Sequence, residues 1–278
     1  MSDPFKIDSP TCISFSGGRT SAYMLWRVLQ SNGGLPDEAK VCFANTGKED
    51  EATLQFIKDV SDKWQVEIHW VERRFDDVGF ERVTFDTASR KGEPFEALIR
   101  KRNYLPNPVS RICTSELKIR AQSKYLASLD HFAGEKYSAI ENLSWIGIRA
   151  DEQRRAAKIS DKSRIPLWAA SVTKETIGDF WKAQSFDLGL PNNNGVTMHG
   201  NCDLCFLKPA SQVLALIAEK PDRSVWWAKM EELGLASSPS GNKFRTDRPS
   251  YAEMAKFASE QLDMFDKNEE AIACFCGD

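Results

Sequence analysis

The chain has no uninterrupted apolar run of the roughly 20 residues that a membrane-spanning helix needs, so a helical membrane anchor is excluded within it. Its opening residues, MSDPFKIDSP, lack the basic and apolar regions of a secretory signal. A cytoplasmic location is therefore expected. Histidine is scarce: His69, His131 and His199 are the whole supply in 278 residues, and none stands at a spacing from a carboxylate that suggests a catalytic dyad. There is no internal repeat and no low-complexity tract. A strong charge imbalance is also missing, with 37 basic against 40 acidic residues and a net charge of −3. That balance excludes a protein held to nucleic acid by overall charge. Basic residues do cluster locally, at Arg100, Lys101, Arg102 and Arg111 and again at Arg149, Arg154, Arg155 and Lys158. The P-loop spelling G-x-x-x-x-G-K-[ST] is absent as well.

What is present begins at residue 11. Thr11 to Phe15 reads as a buried strand, Ser16-Gly17-Gly18-Arg19-Thr20-Ser21 turns the chain, and Ala22, Leu25, Trp26 and Leu29 recur at helical spacing. Two glycines before a helix let backbone N–H groups curl toward one point, where the positive end of the helix dipole favours phosphate. Ser16, Thr20 and Ser21 add hydroxyl donors and Arg19 a guanidinium. Lys40 to Ala44 predicts a second strand, Glu49 to Glu51 open an acidic-capped helix, and Val66 to Val71 predicts a third strand. Strand–helix alternation predicts a parallel sheet with helices on both faces, whose ligands sit beyond the strand C-termini. Asn45-Thr46-Gly47 and, after a strand at Leu143 to Ile148, Gly147 and Arg149 occupy that kind of position. Residues 84 to 94 read as a polar flap, 211 to 230 as one helix, and 251 to 264 as a last amphipathic helix.

In a reducing compartment, seven cysteines point to metal, cluster or redox chemistry rather than a disulfide framework. Cys202-x-x-Cys205 presents two thiols from one tight turn, Cys113 lies far upstream, and Cys274 or Cys276 can complete a set if the tail folds back. Iron–sulfur, zinc held by His199, Cys202, Cys205 and a tail cysteine, and metal-free thiols all stay open. Cys12 and Cys42 lie in predicted strands and read as buried small apolar residues.

SGGRTS resembles the SGG-x-x-S loop of the PP-loop superfamily, commonly spelled SGGKDS; Arg19 keeps the charge, whereas Thr20 replaces the acid. ANTGKEDEATLQFI, RICTSELKI, the G-x-R-x-x-E turn from Gly147 to Glu152 and PLWAASVTKETIGDFWKAQSFDLGLP are similar to segments of the phosphoadenosine phosphosulfate (PAPS) reductase family, in that family's order. The separated Cys113 and Cys202-x-x-Cys205 resemble the layout of its iron–sulfur members. On residues 11 to about 210, the chain is identified as a member of that family.

The resemblance implies an α/β fold of the PP-loop, HUP-like type with a five-stranded parallel sheet. It implies a nucleotide-binding region over residues 1–170 and a mainly helical C-terminal region over 171–278. It further implies an adenine nucleotide, ATP or PAPS, held by Ser16, Gly17, Gly18, Arg19, Thr20, Ser21, Asn45, Thr46, Gly47, Gly147 and Arg149, with magnesium as a companion. A [4Fe–4S] cluster (or zinc) would be held by Cys113, Cys202, Cys205 and Cys274. Cys276, in a C-terminal Cys-Gly, would be the nucleophile of sulfonucleotide reduction. The alternatives are an ATP-dependent sulfur transferase that adenylates a nucleic acid or base, served by a sulfur-donor protein, and a non-catalytic nucleotide or redox sensor.

Overall fold

A computed structural model of the protein describes residues 3–132, 137–193, 196–200, 202–233, 235 and 242–260. The chain runs β1 (Thr11–Ser14), α1 (Arg19–Asn32), β2 (Ala39–Asn45), α2 (Glu51–Trp64), β3 (Ile68–Arg73), β4 (Phe80–Val83) and α3 (Glu93–Arg102). A π-helical segment, Cys113–Arg120, runs straight into α4 (Ala121–Leu126), and α5 (Tyr137–Asn142) leads to β5 (Ser144–Ile146). Short α6 (Gln153–Ala156) and α7 (Pro166–Ala169) precede α8 (Lys174–Lys182) and a small hairpin of β6 (Asn192–Asn193) and β7 (Val196–Thr197). Helices α9 (Ala210–Glu219), α10 (Arg223–Glu231) and α11 (Tyr251–Glu260) follow.

The sheet order is β4-β3-β2-β1-β5, parallel throughout except for β4, which pairs antiparallel with β3 at one edge. The fold is thus α/β with a five-stranded, mostly parallel sheet. Side-chain alternation divides the strands between two covers. Ile13, Phe15, Val41, Phe43, Ile68 and Trp70 face the core shared with α1, α2 and α8. Cys12, Cys42 and Val71 face a second cover made by Ala121, Tyr125 and Leu126 of α4 and Ile140 of α5. Both cysteines are fully buried, as small apolar residues would be.

Local signals set the element ends. Asp50 caps α2, its carboxylate accepting from the Ala52 N–H at 3.0 Å. Gly33 ends α1 in the left-handed region at φ 71°. Thr173 and Thr176 form the reciprocal cap of α8. Two expectations change. The edge strand β4 was not anticipated, so the sheet is mixed rather than all parallel. The single helix expected over 211–230 is two, because Pro221 has no N–H to continue α9 and the chain restarts at Arg223. Cys113 begins a helical segment of the wide π type.

The apolar cores do not part at residue 170. Ile177, Trp181, Leu188 and Leu190 belong to the core over the sheet. Phe95, Leu98, Ile99, Leu105 and Leu117 pack instead with Val213, Leu216, Trp227, Tyr251 and Met254 of the C-terminal helices. Among the described residues no helix is long and apolar enough to cross a membrane.

Candidate nucleotide and thiol site

The strand order places β2, β3 and β4 to one side of β1 and β5 to the other. The crevice at the C-terminal end of β1 is therefore the switch point at which open α/β sheets take ligands. A cavity of about 360 Å³ lies there, with Ser14, Phe43, Ala44, Ser144 and Ile146 from the strand ends in its wall. Ser16 and Ser21 of the glycine bend line it, as does Gly147. The bend is closed on itself: the Ser16 N–H and hydroxyl donate to the Ser21 Oγ at 3.2 and 3.1 Å, and Ser21 donates to the Gly18 carbonyl at 3.0 Å. Gly17 sits at φ 81°, and a Cβ there would come within 2.6 Å of Thr53 Cγ2. At Gly147 a Cβ would lie 3.5 Å from the Ser21 backbone, so this glycine brings the end of β5 close to the bend.

The rest of the lining is mixed in a way that suits a nucleotide. Phe15, Phe43, Ile146 and Ile159 supply apolar surface, and Thr114, Ser123, Ser144 and Ser160 supply hydroxyls. Among the described lining residues, Lys118, Lys158 and Arg164 are cations and Glu141 is the one carboxylate. The Arg164 guanidinium also donates to the Ser144 carbonyl at 3.1 Å, to Asn142 Oδ1 at 3.2 Å and to the Glu141 carbonyl at 2.7 Å. The π-helical segment brings Thr114, Lys118 and Ile119 to this face, and wide turns of this kind recur at functional sites. None of the cations was singled out from the sequence for this site. Lys118 lies within a quoted segment and Lys158 within a noted charge cluster, but only the fold turns them to one space.

The expected binding residues divide. Ser16, Ser21 and Gly147 line the cavity, and Gly17, Gly18 and Thr20 build the bend behind it. Arg149 donates to the Thr20 hydroxyl at 3.2 Å and pairs with Asp151. Arg19 turns away from the cavity: its Nε donates to Asp187 at 2.7 Å, and its other nitrogens to the Thr197 hydroxyl at 3.2 Å and the Leu190 carbonyl at 3.0 Å. It ties the loop to the segment after α8 because that segment supplies a carboxylate beside it.

Asn45, Thr46 and Gly47 do not line the cavity either. Asn45 is wholly buried and donates to Glu72 and to the Ser89 carbonyl. Gly47, at φ 78°, lets the backbone of Gly92 approach, where a Cβ would meet it at 3.0 Å. The flap expected over 84–94 contributes no lining residue.

Thr46 leads to the thiols. Its N–H and hydroxyl donate to Glu49 at 3.0 and 2.8 Å, and its Oγ lies 3.5 Å from Cys202 Sγ. Glu49 and Cys202 form an isolated antiparallel bridge, and the Asp203 N–H donates to the Lys48 carbonyl at 2.7 Å. Burial pushes the Glu49 carboxyl above its ordinary range, against the pull of Lys118 and Thr46. Burial likewise holds the Cys202 thiol well above its ordinary value, with Glu49 reinforcing it and Lys118 opposing. Lys118, which lines the cavity, thus also acts electrostatically on Glu49 and Cys202.

The Cys202–Cys205 turn is firmly built. Lys208 Nζ donates to the carbonyls of Gly200, Cys202 and Asp203 at 2.7, 2.7 and 3.0 Å, and the Tyr251 hydroxyl donates to the Leu204 carbonyl at 2.6 Å. Cys113, Cys202 and Cys205 share one apolar cluster, Cys113 at its margin.

His199 pairs with Glu219 at 2.6 Å, and His69 is buried in β3 beside Glu67. Among the described residues no group of three or more His, Cys, Asp or Glu side chains is close enough to hold a metal ion. The described donors alone therefore do not fit a [4Fe–4S] cluster or a closed zinc site. Cys274 and Cys276 lie outside the described residues. Magnesium finds one carboxylate in the cavity wall, Glu141.

The nin region protein ORF290 of Escherichia phage lambda, an uncharacterized protein, is 32% identical to the chain over 209 residues, spanning 72% of this chain and 67% of the phage protein. The chain belongs to the family of that protein. No family model and no solved structure matches it.

Proposed function

We infer that this member of the ORF290 family is a PP-loop protein of the PAPS reductase type, which binds an adenine nucleotide in the cavity at the end of β1 and acts in sulfur chemistry. The observation that carries the reading is the cavity itself. A self-closed SGG-x-x-S bend, a neighbouring strand-end glycine and three cations surround a space at the switch point of the sheet. Its apolar wall suits the base, and its cations and hydroxyls suit the phosphates. The buried Cys202-x-x-Cys205 turn, joined to the same edge through Thr46 and Glu49, supports a sulfur reaction next to the nucleotide.

In sulfonucleotide reduction the S–O bond to the phosphate breaks and sulfite leaves. Two thiols supply the electron pair and are joined as a disulfide, their protons passing to solvent and the departing phosphate. The described donors do not complete a metal site, so no step is assigned to a metal.

The test is to titrate the protein with ATP and with PAPS, and then to follow sulfite from PAPS in the presence of a thiol donor. Sulfite release is expected. Pyrophosphate released from ATP, without sulfite, would replace reduction by adenylation as in sulfur transferases; tight binding without turnover would leave a sensor. Lys118→Met should weaken nucleotide binding about tenfold or more, the cost of one hydrogen bond to a charged group. Unchanged affinity would remove Lys118 from the site.

A further inference from the structure

The helix that walls the cavity has a second lined face. Thr114, Lys118, Ile119 and Gln122 look into the cavity, whereas Ser115, Glu116, Arg120, Lys124 and Ala127, at helical spacing, line an adjoining open groove of about 480 Å³. Ser123 belongs to the walls of both, so groove and cavity meet at that side chain.

The groove is positive for a structural reason. Its one carboxylate, Glu116, is buried and already faces three guanidiniums, those of Arg73 at 3.5 Å, Arg120 at 3.3 Å and Arg102. One negative charge among three positive ones leaves excess positive charge, to which Lys124 adds. Arg120 is 45% exposed and Arg102 43%, so donors of both reach solvent. The Lys124 side chain lines the groove, and its ammonium donates to the Val78 carbonyl at 3.4 Å.

The geometry points to a single-stranded polynucleotide as the ligand of this pair of sites: one nucleotide in the cavity, and the adjoining backbone phosphates along the groove at Arg120 and Lys124. This rests on the nucleotide reading of the cavity and extends it from a mononucleotide to a chain. An open groove with exposed guanidiniums suits a backbone that enters and leaves, whereas a mononucleotide is contained by the cavity alone. Base identity would be read in the cavity, and the groove would supply the sequence-independent, salt-sensitive part of the affinity.

The experiment compares the full chain with an Arg120→Gln, Lys124→Gln double variant, which keeps a hydrogen-bond donor for Glu116. The probes are ATP and fluorescein-labelled oligodeoxyadenylate and oligoriboadenylate, titrated over a range of salt. The variant should bind ATP as the wild type does, bind the oligonucleotide at least tenfold more weakly at low salt, and lose about 1.4 from the log–log salt slope, about 0.7 for each of two phosphates. The deoxy and ribo arms distinguish DNA from RNA as the source of the strand.

An unchanged oligonucleotide affinity and slope overturns the inference, as does a wild type that binds no oligonucleotide. Equal loss of ATP binding also overturns it, since the groove would then be no separate subsite, and so does polyglutamate that competes as well as the oligonucleotide. If the wild type binds the oligonucleotide with the expected slope change in the variant but does not bind ATP, the groove stands and the mononucleotide reading of the cavity falls.

Discussion

At the scale of single residues, the glycine bend shows how a short motif divides its labour. Gly17 is held at φ 81° with Thr53 and Ile57 closing on the space where a Cβ would go. Gly17→Ala combines a left-handed backbone with overpacking and should cost about 2 kcal/mol or more. A urea midpoint unmoved by the change would show that the bend does not hold this conformation. Arg19 looks in sequence like the phosphate ligand, yet its guanidinium is spent on Asp187, Thr197 and Leu190. Arg19→Lys keeps the charge and loses the planar fork. It should lower stability by about 1–2 kcal/mol while leaving nucleotide affinity within twofold. A large loss of affinity at unchanged stability would return Arg19 to the ligand site. Nothing in the spelling SGGRTS separates these roles, because the carboxylate that claims Arg19 is 168 residues away.

At the scale of elements, the strand–turn–helix units were legible where local chemistry is self-sufficient: β1 into α1, and the acidic opening of α2 within Glu49 to Glu51. The start of α11 is of the same kind. Ser250 and Glu253 satisfy each other's backbone N–H groups, at 3.2 Å to the Ser250 hydroxyl and 2.7 Å to the Glu253 carboxylate, the S-x-x-E capping box. Ser250→Ala should destabilise the fold by about 1 kcal/mol, read from thermal unfolding. The Ser250 N–H and hydroxyl, helped by Lys243, draw the Glu253 carboxyl down to about 2. Because the folded value is depressed, this contribution is complete above the ordinary carboxylate value of 4.5 and is lost as the pH falls toward 2. Protection of the α11 amides, taken relative to their intrinsic exchange rates, should therefore fall in acid over that window, and the acid response should vanish in Glu253→Gln. The π-helical segment and β4 were not legible. The first depends on packing beneath α3 and the sheet, and the second on the partner strand that β3 offers.

At the scale of the whole molecule, the two large cores are interleaved along the chain. Trp181 and Leu188 complete the core over the sheet, and residues 95 to 117 complete the core of the C-terminal helices. A fragment ending at residue 170 should therefore lack cooperative thermal unfolding by circular dichroism; a sharp transition would show that the N-terminal part has a sufficient core of its own. Sequence alone determined the α/β class, the bend at Ser16 to Ser21 and the placing of Cys202 and Cys205 on one tight turn, because periodicity, glycine and short spacing act through neighbours in the chain. Tertiary structure decided which groups meet at the cavity. Lys118, Lys158 and Arg164 come to it from separate segments, Arg19 is drawn off to Asp187, and the thiol turn is fastened to Thr46 and Glu49. Each is a contact between parts of the chain far apart in sequence, whose partners only packing selects.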